Sequence, residues 1–284
     1  MSYNQPLIQH ISDTARWAAI YRAMESDRSD ALLRDPFARR LAGKRGEQIA
    51  ASLPFHNQNS WSWVTRTYLF DQFIINQVED GVDMVVNLAA GLDTRPYRMA
   101  LPSSLTWVEV DLPAILDYKE EILSNKEPVC TVERVRMDLT DTQARRALIE
   151  NLGRQSTRGL VVSEGLIIYL SSSEAATLAE DLAGTKSFHT WVLDIASPGL
   201  LQMVRQNTVS QFGSDVAQLK FAPDDGPDFF TRYGWNVLSV KSILRTAAAL
   251  KRLPEEMEPL ALLPEDPARM GSRPWSGVCL LTRR

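Results

Sequence analysis

The sequence predicts a doubly wound α/β fold, in which a mostly parallel sheet follows a helical N-terminal segment. From residue 81 onward, short runs of β-forming residues alternate with amphipathic helical stretches, which is the pattern of parallel strands joined by crossover helices. The first, fourth and fifth of these runs are almost continuously apolar, as expected for strands covered on both faces. Residues 1–80 show helical periodicity instead.

The N-terminal segment is predicted to contain three helices: residues 14–25, a helix that begins at Asp35-Pro36, and residues 60–78. Ser12 and Asp13 are suitable caps for the first helix. Pro36 has the backbone angle of a first helical turn, and Gly43 and Gly46 are expected to break the second helix. The third helix carries one apolar face along its length.

The later runs predict the strands of the sheet and the helices between them. The predicted strands are 83–90, 105–112, 132–139, 160–170 and 189–197. Helical stretches lie near 113–124, 141–152 and 173–184. A mixed insertion follows at about 198–230, and two late runs, 235–240 and 277–283, are expected to close the sheet as an antiparallel pair.

Composition and charge exclude several classes of protein. The 284 residues are 44% hydrophobic and 23% charged, which excludes disorder, collagen and coiled coil as the main architecture. The net charge of −4 offers no basic surface, so we expect no nucleic-acid partner. Two distant cysteines and three scattered histidines predict neither a disulfide framework nor a metal site. No signal peptide or membrane helix is recognisable, so we expect a cytoplasmic protein without membrane association.

Small and acidic residues end consecutive predicted strands, where doubly wound sheets bind their ligands. The first strand ends in the small residues 89–91, which allow close backbone approach. Asp111 ends the second strand, about 20 residues further on, as the ribose ligand of nucleotide-binding folds does. Asp138 and Leu139 end the third and suit an adenine amine and ring. Glu164 lies in the otherwise apolar fourth run, which is costly unless it is paired or functional.

Each of these residues also has a purely structural interpretation. In this interpretation, the small residues only form a tight turn, Asp111 and Asp138 cap the helices that follow them, and Glu164 belongs to a salt bridge. Four unrelated structural roles do not explain why all of these residues fall at the ends of consecutive strands. The sequence therefore favours a nucleotide site.

Several motifs resemble the leucine carboxyl methyltransferase family, whose bacterial branch includes S-adenosylmethionine-dependent O-methyltransferases of polyketide and other natural-product pathways. In chain order the motifs are VVNLAAGLDTRPYR (85–98), WVEVDLP (107–113), MDL (137–139) and SEGLIIYL (163–170). Upstream matches are TA (14–15), RAMES (22–26), DPFA (35–38) and TRTY (65–68). The resemblance spans nearly the whole chain.

The resemblance implies a class I methyltransferase fold and S-adenosyl-L-methionine as cofactor. This fold is a Rossmann-like, seven-stranded, mostly parallel sheet with an antiparallel last strand. The resemblance implies that residues 1–80 form a helical cover and that residues 81–284 form the cofactor-binding domain. It also implies that the insertion near 198–230 lies over the acceptor site.

The same resemblance assigns residues to each part of the cofactor. Arg66 would bind the methionyl carboxylate, and Glu164 would face the ammonium. Arg22 is a second basic residue at a family contact position. The remaining assignments are the turn beneath the methionine (Ala89, Ala90, Gly91), the ribose (Asp111, Leu112) and the adenine (Asp138, Leu139). The family's usual first glycine of the turn is Ala89 here, and a methyl group fits there if φ is negative.

The acceptor is expected to be a carboxylate or acidic hydroxyl of a small natural-product-type molecule. A carboxylic acid is already ionised at neutral pH and needs no base, whereas a phenol benefits from one. No histidine–acid pair is recognisable in the sequence, so no catalytic base is assigned. Tyr169 is the candidate catalytic residue and is expected beside the acceptor. The aromatic residues of the cover suit a planar or apolar acceptor; they are Trp17, Phe55, Trp61 and Trp63.

Two other functions use the same sequence features. A nicotinamide oxidoreductase shares the turn and Asp111, but its fingerprint needs three glycines, and positions 89, 91 and 94 are Ala, Gly and Thr. A non-catalytic binding protein that kept the cofactor fold is the second alternative. The sequence gives no basis for predicting an oligomeric state.

Overall fold

The computed structural model describes residues 11–52, 60–208 and 219–284. Three helices come first: α1 (Ile11–Ser26), α2 (Ala38–Ser52) and α3 (Ser60–Glu79). Because α1 already begins at Ile11, Asp13 lies in its first turn rather than at its cap. The second helix begins at Ala38, after Asp35 accepts hydrogen bonds from the backbone of Phe37 and Ala38.

Gly43 interrupts α2, but the expected break at Gly46 is wrong. Gly43 has φ 59° and ψ −174°, and the helix resumes after it and continues to Ser52. A Cβ on Gly46 would lie 2.7 Å from Cβ of Ala42 and 3.1 Å from the backbone oxygen of Arg16. Gly46 therefore permits close packing of α1 and α2.

Strands and helices then alternate, as the sequence predicts. The elements in chain order are β1 (Met84–Leu88), α4 (Arg95–Arg98), β2 (Thr106–Asp111), α5 (Pro113–Leu123), β3 (Thr131–Arg136), α6 (Thr142–Gln155), β4 (Gly159–Ser163), α7 (Ser172–Ala183) and β5 (Phe188–Ala196). After them come α8 (Pro198–Thr208), β6 (Trp235–Ser242), α9 (Ile243–Ala249), α10 (Glu258–Ala261) and β7 (Ser276–Arg283). Short 3-10 helices occupy Ile167–Tyr169, Gly226–Tyr233 and Glu255–Met257.

The fourth strand is shorter than the apolar run 160–170 predicts. It ends at Ser163, and Gly165 follows with φ 70°. The remaining apolar residues form the 3-10 turn, where Ile167 is buried in the core. A short apolar run does not distinguish a strand from a turn that buries its side chains.

The seven strands form one sheet in the order β3-β2-β1-β4-β5-β7-β6. The first five pair in parallel, and β7 is antiparallel to both β5 and β6. This arrangement confirms the predicted fold class. The strand order reverses between β1 and β4, and such a switch point opens a crevice at the carboxyl ends of the strands.

The N-terminal helices share the hydrophobic core of the sheet. Phe70 and Ile74 of α3 pack in one cluster with Val85 and Trp107 of the strands. A second cluster joins α1 and α2 to α5, for example through Leu116. Among the residues described, no helix is long and apolar enough to span a bilayer.

Candidate functional site

A cavity of about 1320 Å³ lies at the carboxyl ends of the strands. Every residue that the sequence analysis assigned to a ligand lines it: Arg22, Arg66, Ala89, Ala90, Gly91, Asp111, Leu112, Asp138, Leu139, Glu164 and Tyr169. These residues come from α1, α3 and the ends of four strands. The fold thus brings distant motifs to one site. Of the aromatic residues proposed for the cover, Trp17, Trp61 and Trp63 also line the cavity, and Phe55 lies outside the described residues.

The turn after β1 contains two residues in the left-handed region. Ala89 has φ 53° and Gly91 has φ 49°. The condition of a negative φ at Ala89 is therefore not met, and the methyl group adds strain of roughly 1–2 kcal/mol. Hydrogen bonds hold the turn in place: the Ala90 amide donates to Val110, and the Gly91 amide donates to Oδ2 of Asp111 at 2.6 Å.

Asp111 supports the turn and still has acceptor capacity for a ligand. Its Oδ1 accepts the Leu112 amide at 2.7 Å, and burial raises the pKa of this carboxyl. Each carboxylate oxygen has a second lone pair free for a hydroxyl. The N-cap of α5 is Leu112, without a side-chain cap, so Asp111 does not act as the cap residue of that helix.

Asp138 and Leu139 line the cavity from the segment that follows β3. Asp138 is exposed, and its Oδ1 accepts the backbone amide and hydroxyl of Thr140 at 2.9 and 2.7 Å. Among the described residues its Oδ2 has no hydrogen-bond partner. The cap of α6 is Asp141, which accepts the Ala144 amide. Asp138 is therefore not the helix cap, and one of its oxygens faces the cavity side without a protein partner.

A network of ion pairs connects α3 with the turn after β1 and with the ends of β4 and β5. Arg95 is buried and contacts three carboxylates, with distances of 2.7 Å to Asp71, 2.8 Å to Asp93 and 2.7 Å to Glu164. Arg98 binds Asp71 through both terminal nitrogens. Arg66 joins the network through Glu164, and Asp194 joins it through Arg66. The network then holds four carboxylates and three guanidinium groups.

Arg66 lies at the cavity edge of this network. Its Nε donates to Glu164 at 3.1 Å and its Nη1 to Asp194 at 3.3 Å. Asp71, on the same helix as Arg66, is bound by Arg95 and Arg98 instead. Of the five guanidinium N–H groups, one on Nη1 and two on Nη2 have no partner among the described residues, so a ligand can bind them.

The two carboxylates beside Arg66 differ in their electrostatics. Burial opposes ionisation of Glu164, but Arg95 and Arg66 outweigh it and lower its pKa. For Asp194, burial prevails over the attraction of Arg66 and raises the pKa. Oδ1 of Asp194 accepts the Gly165 amide at 2.6 Å. Of the two, Asp194 is the carboxylate whose charge is less compensated by the protein.

Arg95 and Asp194 were not identified from the sequence. Asp194 lies near the end of β5, so the strand-end rule, extended to the fifth strand, would have found it. Arg95 carries no such signal, because its partners Asp71 and Glu164 are distant in sequence and become neighbours only in the folded chain.

Arg22 and Tyr169 face the cavity from the cover and from the turn after β4. Arg22 is buried, with Nε 2.9 Å from Asp35 and Nη2 2.6 Å from the Leu92 carbonyl. It therefore fixes the turn after β1. Tyr169 hydrogen-bonds the Thr14 side chain, and burial raises the pKa of its phenol. Nowhere in the described ranges do three or more histidine, cysteine or acidic side chains form a metal-binding group.

Comparison with known proteins gives consistent matches. Residues 15–183 match the family described as "Leucine carboxyl methyltransferase". A Rhodococcus jostii protein named "Putative S-adenosyl-L-methionine-dependent methyltransferase" is 32% identical over 278 residues, which cover 90% of this chain and 94% of that protein. A Mycobacteroides abscessus protein with the same description is 27% identical, covering 88% and 91%.

The fold also matches a solved structure, that of a DUF574 family protein from Streptomyces avermitilis. The TM-score is 0.58 at 12% identity, and the match covers 94% of this chain and 97% of that one. At this identity the match supports the fold alone.

Proposed function

Because the chain belongs to the leucine carboxyl methyltransferase family, we propose that this S-adenosylmethionine-dependent methyltransferase methylates an oxygen. The proposed acceptor is a carboxylate or acidic hydroxyl of a small natural-product-type molecule. The observation that carries the proposal is that all residues assigned to the cofactor from separate motifs line one cavity at the switch point of the sheet.

The residues of the cavity fit the charge of the cofactor. S-adenosylmethionine has one net positive charge, from a sulfonium, an ammonium and a carboxylate, and the ion-pair network has one carboxylate in excess. We propose that the free edge of Arg66 binds the carboxylate and that the ammonium lies between Glu164 and Asp194. An arginine edge suits a carboxylate, since it can donate two parallel hydrogen bonds.

The ribose and adenine of the cofactor are assigned to residues at the ends of β2 and β3. We propose that Asp111 accepts the ribose hydroxyls beside Leu112, and that Asp138 and Leu139 hold the adenine. The turn at residues 89–91 lies beneath the methionine. In this proposal, residues 1–80 cover the cofactor, residues 81–284 bind it, and the insertion near 198–230 lies over the acceptor.

When bound, the cofactor supplies an electrophilic methyl group. The protein has to hold the acceptor oxygen in line, roughly 3 Å from that carbon, and exclude water. A carboxylate acceptor is ionised at neutral pH, so no proton has to be removed. Tyr169 lies where its hydroxyl can orient the acceptor, and its raised pKa keeps it protonated as a donor.

Calorimetry and a turnover assay test this proposal. We expect S-adenosylhomocysteine to bind the purified protein and NADH to show no binding. A screen of carboxylic acids and phenols with S-adenosylmethionine should give methyl esters or ethers, identified by mass spectrometry. Binding of NADH instead, or methylation at nitrogen or carbon only, would refute oxygen methylation by this protein. Cofactor binding without any turnover would favour the non-catalytic alternative.

A further inference from the structure

The cavity continues beyond the part assigned to the cofactor. Its volume of about 1320 Å³ exceeds the roughly 300–1,000 Å³ of a usual single-ligand site. The additional wall comes from elements that follow β5, namely α8, α9, α10 and the loop before β7. Its side chains include Leu200, Met203, Leu244, Met257, Leu260 and Met270.

This wall is mainly aliphatic, with Trp275 of the loop before β7 beside the aliphatic residues. Methionine has three rotatable bonds and a polarisable sulfur, so it fits irregular apolar ligands. Two charged side chains of this wall are already engaged, and one of them is Glu265, which accepts from Ser242 at 3.0 Å and pairs with Arg245 at 3.3 Å. Arg273 donates to the Pro264 carbonyl at 2.8 Å. This region therefore offers contact area to a hydrocarbon and few free partners to a second polar group.

The apolar wall reaches the surface at an uncovered mouth. Met203, Leu260 and Leu263 line the cavity and are 40%, 47% and 45% exposed. Clustered exposure of large apolar side chains marks a ligand or partner site. Leu262 lies in the same short segment and is 84% exposed, but it does not line the cavity. A ligand that extends from the methyl-transfer point to the mouth would cover the first three and leave Leu262 in water.

We propose that the acceptor is an amphiphile with one acidic oxygen and an unbranched alkyl chain, which lies along this wall toward the mouth. The inference rests on the proposed function for the position of the oxygen. The chain itself is inferred from the wall alone. A compact polar acid would leave most of the apolar surface unused, and a rigid planar acid would not follow the wall out to the mouth.

Binding of straight-chain carboxylic acids to the protein saturated with S-adenosylhomocysteine tests the inference without requiring turnover. Calorimetry with butanoic, octanoic and dodecanoic acids, below their aggregation concentrations, should show affinity rising about three- to fourfold per methylene until the chain reaches the mouth. Equal affinity along the series, or tighter binding of naphthoic acid than of dodecanoic acid, would overturn the inference.

Three variants locate the chain. Leu260→Asp and Leu263→Asp should weaken dodecanoic acid binding by about tenfold or more, since each places a charge against the hydrocarbon, and should leave butanoic acid and S-adenosylhomocysteine unaffected. Leu262→Asp is the matched control and should bind like the wild type. If all three variants behave alike, the chain does not lie at this mouth.

The two proposals fail in different ways. Absence of S-adenosylhomocysteine binding contradicts the proposed function, and the acid series in the free protein then still measures the apolar wall. Cofactor binding without chain-length dependence contradicts only the alkyl acceptor. A long-chain ligand that binds as expected but is methylated at another atom supports the alkyl chain and contradicts oxygen transfer.

Discussion

Asp111 holds the turn after β1 and, in our proposal, the same carboxylate also binds the ribose. One oxygen holds the Gly91 amide and the other holds the Leu112 amide, so the side chain fixes the turn and the start of α5. The same two bonds aim its remaining lone pairs at the cavity. The sequence alone leaves open whether Asp111 is a helix cap or a ligand, and the geometry excludes the cap, because Leu112 is the N-cap of α5.

Asp111→Asn should weaken S-adenosylhomocysteine binding by at least about tenfold, because each hydrogen bond to a charged acceptor contributes roughly 1.5–3 kcal/mol. The amide oxygen keeps one of the two backbone amides that Asp111 accepts, so we expect the turn to persist with one hydrogen bond fewer. Calorimetry with an analogue lacking the ribose hydroxyls is the control, and it should bind variant and wild type alike. Equal losses for both ligands would show that Asp111 acts through the turn only.

Arg66→Lys tests the guanidinium edge at the methionine end. Lysine keeps the positive charge beside Glu164 and Asp194 but cannot donate two parallel hydrogen bonds. We expect S-adenosylhomocysteine affinity to fall by about tenfold or more, and an analogue without the carboxylate to bind both proteins equally. A similar loss for both ligands would mean that Arg66 supports the ion-pair network rather than the ligand.

At the scale of elements, the turn after β1 is strained where its sequence departs from the family. Ala89→Gly should raise the free energy of unfolding by about 0.5–1 kcal/mol. Relief of the left-handed strain outweighs the added entropy of the unfolded chain. Ala90→Gly is the control, because Ala90 lacks a positive φ and is buried, and it should destabilise. Denaturant unfolding measures both, and a loss of stability for Ala89→Gly would contradict the strain.

Most elements were predictable because the chain marks them locally. Apolar runs with β-forming residues located the strands to within a few residues, and strand ends located Asp111 and Glu164. Gly46 was misjudged because close helix packing overrides a weak local propensity. The strand at 160–170 was too long because burial in a turn and burial in a strand look alike in sequence. Arg95 was missed because its buried ion pairs connect distant residues, and no local pattern specifies them.

At the scale of the whole molecule, buried ion pairs link stability to pH. Burial works against the charge of Asp93, but Arg95, Lys119 and Arg98 hold the pKa of this carboxyl far below its usual range. A depressed pKa in the folded state stabilises the protein above the unfolded-state pKa, roughly 3.9, and this stability is lost as pH falls toward the folded-state pKa.

Asp93→Asn should therefore lower the melting temperature at neutral pH and lose less stability than the wild type on acidification below about pH 4. Asp225→Asn is the control, since its ion pair with Arg232 is exposed and such pairs contribute little. Melting curves across this range measure the difference. If the melting temperatures of the wild type and Asp93→Asn fall in parallel on acidification, Asp93 is excluded as a source of the pH dependence.

A buried ion pair connects α1, near the start of the chain, to the segment that follows α9. Arg252, after α9, lies 3.0 Å from Glu25 of α1 and 3.0 Å from Asp30, and the side chains of Arg252 and Glu25 are buried. Because α1 also carries Arg22 to the cavity, this contact couples the late part of the fold to a helix that lines the cavity. We propose that it holds the cover against the domain.

Arg252→Met should destabilise the protein by about 3–5 kcal/mol, because it leaves Glu25 buried without its main partner. Glu25→Gln in the same chain should recover part of this loss. Hydrogen exchange of α1 should accelerate more than exchange of the central strands, and cofactor affinity should fall with it.

Arg28→Met is the matched control, since Arg28 contacts the same two acids but is 48% exposed, and it should change neither measurement. If α1 and the central strands lose protection equally in Arg252→Met, the pair stabilises the fold as a whole and the cover has no separate attachment there.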